Sequence, residues 1–262
     1  MSSTSCRASG VARHGEPVAR WCAGAAPRQL EIAVQDPAGA AVARAAGADR
    51  VELCAALDLG GLTPSIGMVE AVVATGIPVH VLVRPRPGGF RFSATEVSLM
   101  VRDIEAVVDA GAAGVVVGAL TADGTLDRYA LTALRDAAEG LEVTVHRCVD
   151  VLADPAAAVV PLAELGVTRV LTSGGAPTAA RGLDTLARMV TAAEGRIGVM
   201  AGGGVRAQDV PDLVATGVSA VHLSARRRLA DAGPSGPGGG PAGYAVTDPV
   251  TVAAAVAAVR HG

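Results

Sequence analysis

The chain has 262 residues, half of them hydrophobic but only 2% aromatic, and a formal net charge of −3. Few rings to stack on bases and no basic stripe point away from nucleic acid as a partner, and no apolar run reaches the roughly 18 residues that span a bilayer. All 22 cationic side chains are arginine, which excludes lysine Schiff-base chemistry, because a guanidinium in practice does not give up its proton.

Residues 1–28 are rich in Ser, Ala, Arg and Gly with no period and no continuous apolar stretch. They read as a disordered tail rather than a secretory signal, and the expected location is the cytoplasm. Four cysteines in a chain of this size do not make a disulfide framework. From residue 29 onward the pattern changes. Short apolar runs at 30–34, 50–54, 79–84, 114–118, 143–147, 169–173, 197–201 and 220–224 alternate with amphipathic stretches of helical period. Eight such units predict one (β/α)8 TIM barrel over 29–262, with runs 30–34 and 220–224 adjacent and parallel, since a barrel leaves no free edges. The scarcity of aromatic residues predicts an interior filled by Val, Leu, Ile and Ala. A Gly/Pro-rich loop is expected at 231–243, before a final helix with Asp248 as N-cap and Pro249 at its first position.

In such barrels the chemistry sits at the C-terminal ends of the strands, so the residues closing each run are the candidates. Strand 1 carries Glu31. On strand 2, Glu52 and Cys54 face the same way by the period-two rule, and a carboxylate in a buried strand must be paired or have a perturbed pKa. Arg84 and Arg86 close strand 3 around Pro85. Strand 5 ends His146, Arg147, Cys148, with Asp150 shortly after; Thr144, His146 and Cys148 are expected on one side and Arg147 on the other, until the strand ends. His146 either moves protons near neutral pH or ties strand ends together. The ring of Glu and Arg is either an internal salt-bridge lattice or a proton-transfer site with anion clamps.

Ser173 closes strand 6, and strand 7 runs into Gly202, Gly203 and Gly204, followed by Arg206 and a helix starting near Ala207. Backbone amides of a glycine turn beside a helix N-terminus suit an anion, and the loops after strands 7 and 8 are the recurrent phosphate site of this fold. Arg206 is placed to add a bidentate contact, and His222 and Ser224 close strand 8. The same glycines also fit a tight turn with no ligand.

The segments ADRVELC (48–54), GGLTPS (60–65), VRPR (83–86), His146-Arg147, RVLTSG (169–174) and MAGGGV (200–205) together resemble the CutC family, in order and at family-like spacing from about Gln29 to Arg226. The resemblance implies a single barrel, homo-oligomeric, with a polar mouth and a link to copper tolerance but no established reaction. Members proposed to bind copper carry a cysteine after the strand 1 glutamate as well as after the strand 2 glutamate. Here the first position is Ala33 and only Cys54 remains, with Cys148, Met200, Cys6 and Cys22 as substitutes. Cys148, Val149 and Phe90 also depart from the family pattern.

Two functions follow as expectations. In the first, the chain serves copper homeostasis in the cytoplasm and binds Cu(I) weakly through Cys54, with Cys148 a weaker second ligand, because Cu(I) prefers soft sulfur. In the alternative, it is a metal-independent enzyme for a small phosphorylated or carboxylated metabolite. Glu52, His146, Arg84 and Asp150 then form the reacting group. Arg86, Arg147, Ser173, Gly202, Gly203, Gly204, Arg206, His222 and Ser224 hold the anion.

Overall fold

The eight apolar runs become eight parallel strands: β1 (Gln29–Val34), β2 (Arg50–Leu53), β3 (Val79–Leu82), β4 (Gly114–Val117), β5 (Glu142–Val145), β6 (Arg169–Thr172), β7 (Gly198–Gly202) and β8 (Ala220–Leu223). They are hydrogen-bonded in sequence order into a closed barrel, sealed by β1 against β8 with Glu31 opposite His222. The structure, a computed structural model, describes residues 28–230 and 243–261. The expected tail, with Cys6 and Cys22, and almost all of the expected 231–243 loop lie outside the described residues.

Helices α1 (Pro37–Ala46), α2 (Ile66–Val73), α3 (Ala94–Asp109), α4 (Arg128–Ala137), α5 (Val159–Glu164), α6 (Leu183–Ala193), α7 (Val210–Ala215) and α8 (Pro249–His261) alternate with the strands. Local chemistry sets several of their ends. The Asp36 side chain accepts from the backbone N–H of Gly39 at the start of α1, where Pro37 costs no hydrogen bond. Ser93 and Glu96 make a reciprocal capping box on α3. Asp248 caps α8 as expected, accepting from Thr251 N–H at 3.1 Å. One element went unforeseen: β9 (Arg226–Leu229) and β10 (Tyr244–Thr247) pair antiparallel as a small ribbon beyond β8.

The placement of apolar residues departs from expectation. On β1, Leu30, Ile32 and Val34 join the cluster between strands and helices, and so do Val51 and Leu53, Val79 and Val81, and Val115 and Val117. The alternate positions point into the barrel, and many of these are polar. Gln29, Glu31, Arg50, His80, Glu142, Thr144 and Arg169 fill much of the space where branched aliphatic side chains were expected, with smaller apolar groups of Leu171, Met200 and Ala220 and of Cys54, Leu82 and Val116. The physical reason is pairing. Arg50 Nε donates to Glu31 at 2.6 Å and Nη1 to Gln29 at 3.0 Å, while Arg169 donates to Glu142 at 2.8 Å and to Gln29 at 2.9 Å. A buried charge is tolerated when its partners share the burial. Glycine on β4 supplies room, since a Cβ on Gly114 would lie 2.6 Å from the His80 ring.

Candidate active site

At the C-terminal mouth lies a cavity of about 490 Å³, lined among others by Glu52, Arg84, Phe90, His146, Arg147, Asp150, Gly203, Gly204, His222 and Ser224. These residues come from β2 and β8 or from the segments that follow β3, β5, β7 and β8, so closure of the barrel is what brings them together.

The Glu52 side of the cavity is strongly charged. Glu31, fully buried, accepts from Arg50 Nε at 2.6 Å and meets His222 Nδ1 at 2.7 Å; Glu52 Oε2 lies 3.8 Å from the same His222 nitrogen. Burial alone would raise the Glu31 carboxyl, but Arg50 and His222 outweigh it and hold it well below the usual carboxylate range. Burial likewise opposes the charged form of His222, yet its hydrogen bond to Glu31 and the Glu52 and Glu31 charges bring its pKa above the ordinary value. Glu52 behaves differently. Burial pushes its carboxyl up, His222 draws it back, and the neighbouring Glu31 charge adds to the rise, leaving it at about 7. Its Oε2 has no hydrogen-bond partner.

Another part of the lining is cationic and aromatic. Arg84 is buried, and its guanidinium donates to the carbonyls of Leu59, Gly61 and Gly88 at 3.3, 3.1 and 2.7 Å. It also lies 5.3 Å from the Phe90 ring centre. No carboxylate pairs with it in the described structure, and Arg84 Nε is left without a partner. The His146 ring packs 5.0 Å from the same Phe90 ring, its Nδ1 accepts the Cys148 N–H at 3.2 Å, and its Nε2 is also unpartnered. Burial, reinforced by the Arg84 charge, lowers the His146 pKa to about 4, so the ring is neutral at physiological pH. Gly118 makes this packing possible, because a Cβ there would sit 2.3 Å from His146 Cε1.

The other candidates divide. Asp150 accepts from Arg147 Nε at 2.7 Å, Thr172 Oγ1 at 2.5 Å and the N–H groups of Ser173 and Gly175 at 3.0 and 3.1 Å, which makes it an organiser of the β5 and β6 ends. It holds Arg147 flat over Gly203, whose φ of +108° and missing side chain leave that space; a Cβ would lie 2.7 Å from Arg147 Cζ. Arg147 also donates to Ser173 Oγ at 3.0 Å. Gly202 ends β7 against Leu171 and His222. Two expected anion clamps lie elsewhere. Arg86 pairs with Glu96 of α3 and donates to loop carbonyls, and Arg206 pairs with Asp209 at 2.8 Å just ahead of α7. Neither belongs to the cavity lining. In both cases an acidic residue at the start of the next helix claims the arginine.

The sequence matches the CutC family over residues 28–227. This chain belongs to the CutC family. A CutC family protein of Agrobacterium fabrum is 47% identical over 199 residues, covering 76% of this chain and 79% of its own. One from Caulobacter vibrioides is 48% identical over 196 residues, 74% and 80% of the two chains. Among solved structures, the Streptococcus agalactiae CutC, named as a candidate copper homeostasis protein, aligns at 31% identity with a TM-score of 0.70 over 74% of this chain and 97% of its own.

The family's association with copper makes the cysteines a direct test of fit. Cys54 points inward but is sealed, with no exposure, among Leu82, Val116 and Leu57; the Gly61 turn covers it, an added Cβ there lying 3.6 Å from Sγ. Cys148 does not share the inward side expected for it. The chain turns into a short 3-10 helix after His146, and Cys148 joins the outer apolar cluster with Val145 and Val149. Burial pushes both thiols well above their ordinary range, and a thiol held protonated is a poor ligand. These two cysteines do not fit a thiolate pair for Cu(I). Among the described residues, Glu31, Glu52 and His222 bring one ligand atom each within 4.8 Å of one another, but Arg50 and His222 already occupy the Glu31 oxygens. The part of the site that strand-end reasoning left without a role is Glu31. Its signal was the alternation of polar residues 29 and 31 on β1 with 50 and 52 on β2.

Proposed function

We propose that this CutC family protein binds a small anionic metabolite in the barrel mouth and acts on it by acid–base chemistry. The observation that carries the reading is the set of three unpartnered polar atoms, Glu52 Oε2, Arg84 Nε and His146 Nε2, on residues that line one cavity. Buried polar atoms without partners are costly, and clefts holding such groups with shifted pKa values are where ligands bind and react. Arg84, buried without a carboxylate, favours an anion. Arg147, Gly203, Gly204 and Ser224 border the same space and suit its second anionic end. Copper homeostasis enters through the family's name, and Cu(I) binding by this chain is weak because its described thiols are sealed. Within this reading the protein is a homo-oligomer, as the family resemblance implies, and works in the cytoplasm.

The test is a thermal-shift screen with small carboxylates and phosphate esters, followed by calorimetric titration of those that respond. A ligand of the folded state at about 100 times its Kd stabilises by about 2.7 kcal/mol, several degrees in Tm. Arg147→Gln should weaken the phosphate esters more than the simple carboxylates. If no anion raises Tm and Cu(I) binds stoichiometrically and tightly, the reading is wrong.

A further inference from the structure

Glu52 stands on β2 and His146 directly after β5, strands on different sides of an eight-strand ring, and both line the cavity. A residue pair placed in this way flanks whatever binds between them. The two groups are not equivalent as proton carriers. His146 Nδ1 accepts the backbone N–H of Cys148, so the proton of the neutral ring belongs on Nε2, the atom that lacks a partner. His146 is thus a fixed hydrogen-bond donor, and Arg84 Nε–H is a second unpartnered donor on the same Phe90-backed wall. Glu52, on the lining of the same cavity, has a carboxylate oxygen with no hydrogen-bond partner.

Two donors and one base on the lining of one small cavity suit the removal of a proton from carbon beside a carbonyl. We infer that the cavity takes a small anionic 2-oxo compound or ketose phosphate, with Glu52 as the base and His146 Nε2–H and Arg84 Nε–H on the carbonyl oxygen. This rests on the anion-site reading and names its substrate class and reaction. In the step, the Glu52 carboxylate takes a proton from the carbon next to the carbonyl. The C–H electron pair forms the new carbon–carbon double bond, and the carbonyl π pair moves onto oxygen, giving an enolate held by the two donors. The oxygen pair then re-forms the carbonyl as the double-bond pair takes a proton from the Glu52 carboxylic acid at the same carbon, so atoms and charge balance with no co-reactant. A neutral imidazole suits the donor role, as in the handling of enediolates by triosephosphate isomerase, where a neutral histidine polarises the carbonyl. Preorganised donors of this kind act where charge develops in the transition state. The ionisation state of Glu52 is set by its burial and by groups on three strands, His222 of β8, Glu31 of β1 and Arg50 of β2, which together leave the carboxylate a usable base near neutral pH.

The experiment is hydrogen–deuterium exchange at carbon. Protein in D2O is incubated with pyruvate, 2-oxobutyrate and dihydroxyacetone phosphate, and loss of the proton signals next to the carbonyl is followed by NMR against buffer alone. Wild type should exchange at least one probe, faster as pH rises through about 7. Glu52→Gln should abolish exchange yet keep the anion-induced thermal shift, and Glu52→Asp should restore slow exchange, showing that the loss is chemical rather than a failure to fold. His146→Gln should slow exchange by about 100-fold, the scale of one oxyanion donor. Thermal shifts with no exchange above buffer in wild type would overturn the enolate inference and leave the anion site standing. Absence of both shift and exchange would overturn both, and undiminished exchange in Glu52→Gln would overturn the base assignment.

Discussion

Replacing Glu31 by Gln tests whether the charged interior holds this barrel together. The side chain keeps its shape, so no cavity forms and the change is chiefly in charge. Arg50, 3% exposed, then loses an ion partner at 2.6 Å and retains neutral Gln29 at 3.0 Å, the Met200 sulfur at 3.2 Å and Glu142 at 3.7 Å, whose carboxylate is half in solvent. Removing one member of a buried pair costs about 3–5 kcal/mol, and in a domain of this size each kcal/mol is worth about 2–4 °C, so Tm should drop by about 10 °C. Urea unfolding followed by circular dichroism at pH 7.5 gives the free energy directly, provided the slope is unchanged. Arg50→Met alone should also destabilise, since Glu31 then keeps only His222. The double variant should cost at least about 2 kcal/mol less than the sum, because the second substitution removes a charge already orphaned by the first. Loss of less than 1 kcal/mol in Glu31→Gln, or strict additivity in the double variant, would refute the reasoning.

The remaining expectations concern the site and its surroundings. Gly118→Ala forces a Cβ to within 2.3 Å of His146 Cε1 and 2.6 Å of Cys148 Sγ; it should cost about 1–3 kcal/mol by overpacking and abolish the anion-induced thermal shift. Arg206→Ala breaks only a partly exposed pair with Asp209, so stability should change by no more than about 1 kcal/mol and the anion response should be unaltered. Burial lowers the pKa values of both His146 and His80 to about 4. Their unfolded values are near 6.5, so these two histidines make the unfolded chain take up protons first and lower stability as pH drops from about 6.5 towards 4, while the raised pKa values of Glu52 and His222 act in the opposite direction. Urea midpoints at pH 7.5 and 5.0 isolate the His146 share: the stability of His146→Asn relative to wild type should be higher at pH 5.0 than at pH 7.5. In a Cu(I) competition titration, Cys54→Ser and Cys148→Ser should leave the weak affinity unchanged; stoichiometric binding lost in either variant would show that the thiols open.

The barrel was legible because its signal is repeated eight times, and the pairing of β1 with β8 follows from closure alone. The side-chain alternation of β2 was legible for the same reason, which put Glu52 and Cys54 on one side. Alternation stops helping where a strand ends. Cys148 lies three residues past β5, and a 3-10 turn that the spelling HRCVD does not announce carries it out of the interior. Which carboxylate takes which arginine is also invisible to strand-by-strand reading. Arg86 finds Glu96 and Arg206 finds Asp209 in the stretches that follow their strands, so two residues that looked like anion clamps have partners of their own. Composition misled about the interior, because a chain rich in Val, Leu and Ala spends them between strands and helices and keeps its charges for the centre.

Glu31 also says something about how the chain reaches its native state. It bridges Arg50 from the second strand and His222 from the last, the latter 191 residues further along the chain than Glu31, across the seam where the sheet joins itself. A partial barrel lacking the final strand has an incomplete ion cluster and an open inner face, and pays for both with water-exposed or unpaired charge. Half-built species are therefore poorly stabilised compared with the finished ring, and addition of the last strand should behave as the cooperative step of folding. Permuting the chain to begin at another strand would move that step and show whether the seam or the order of synthesis controls it.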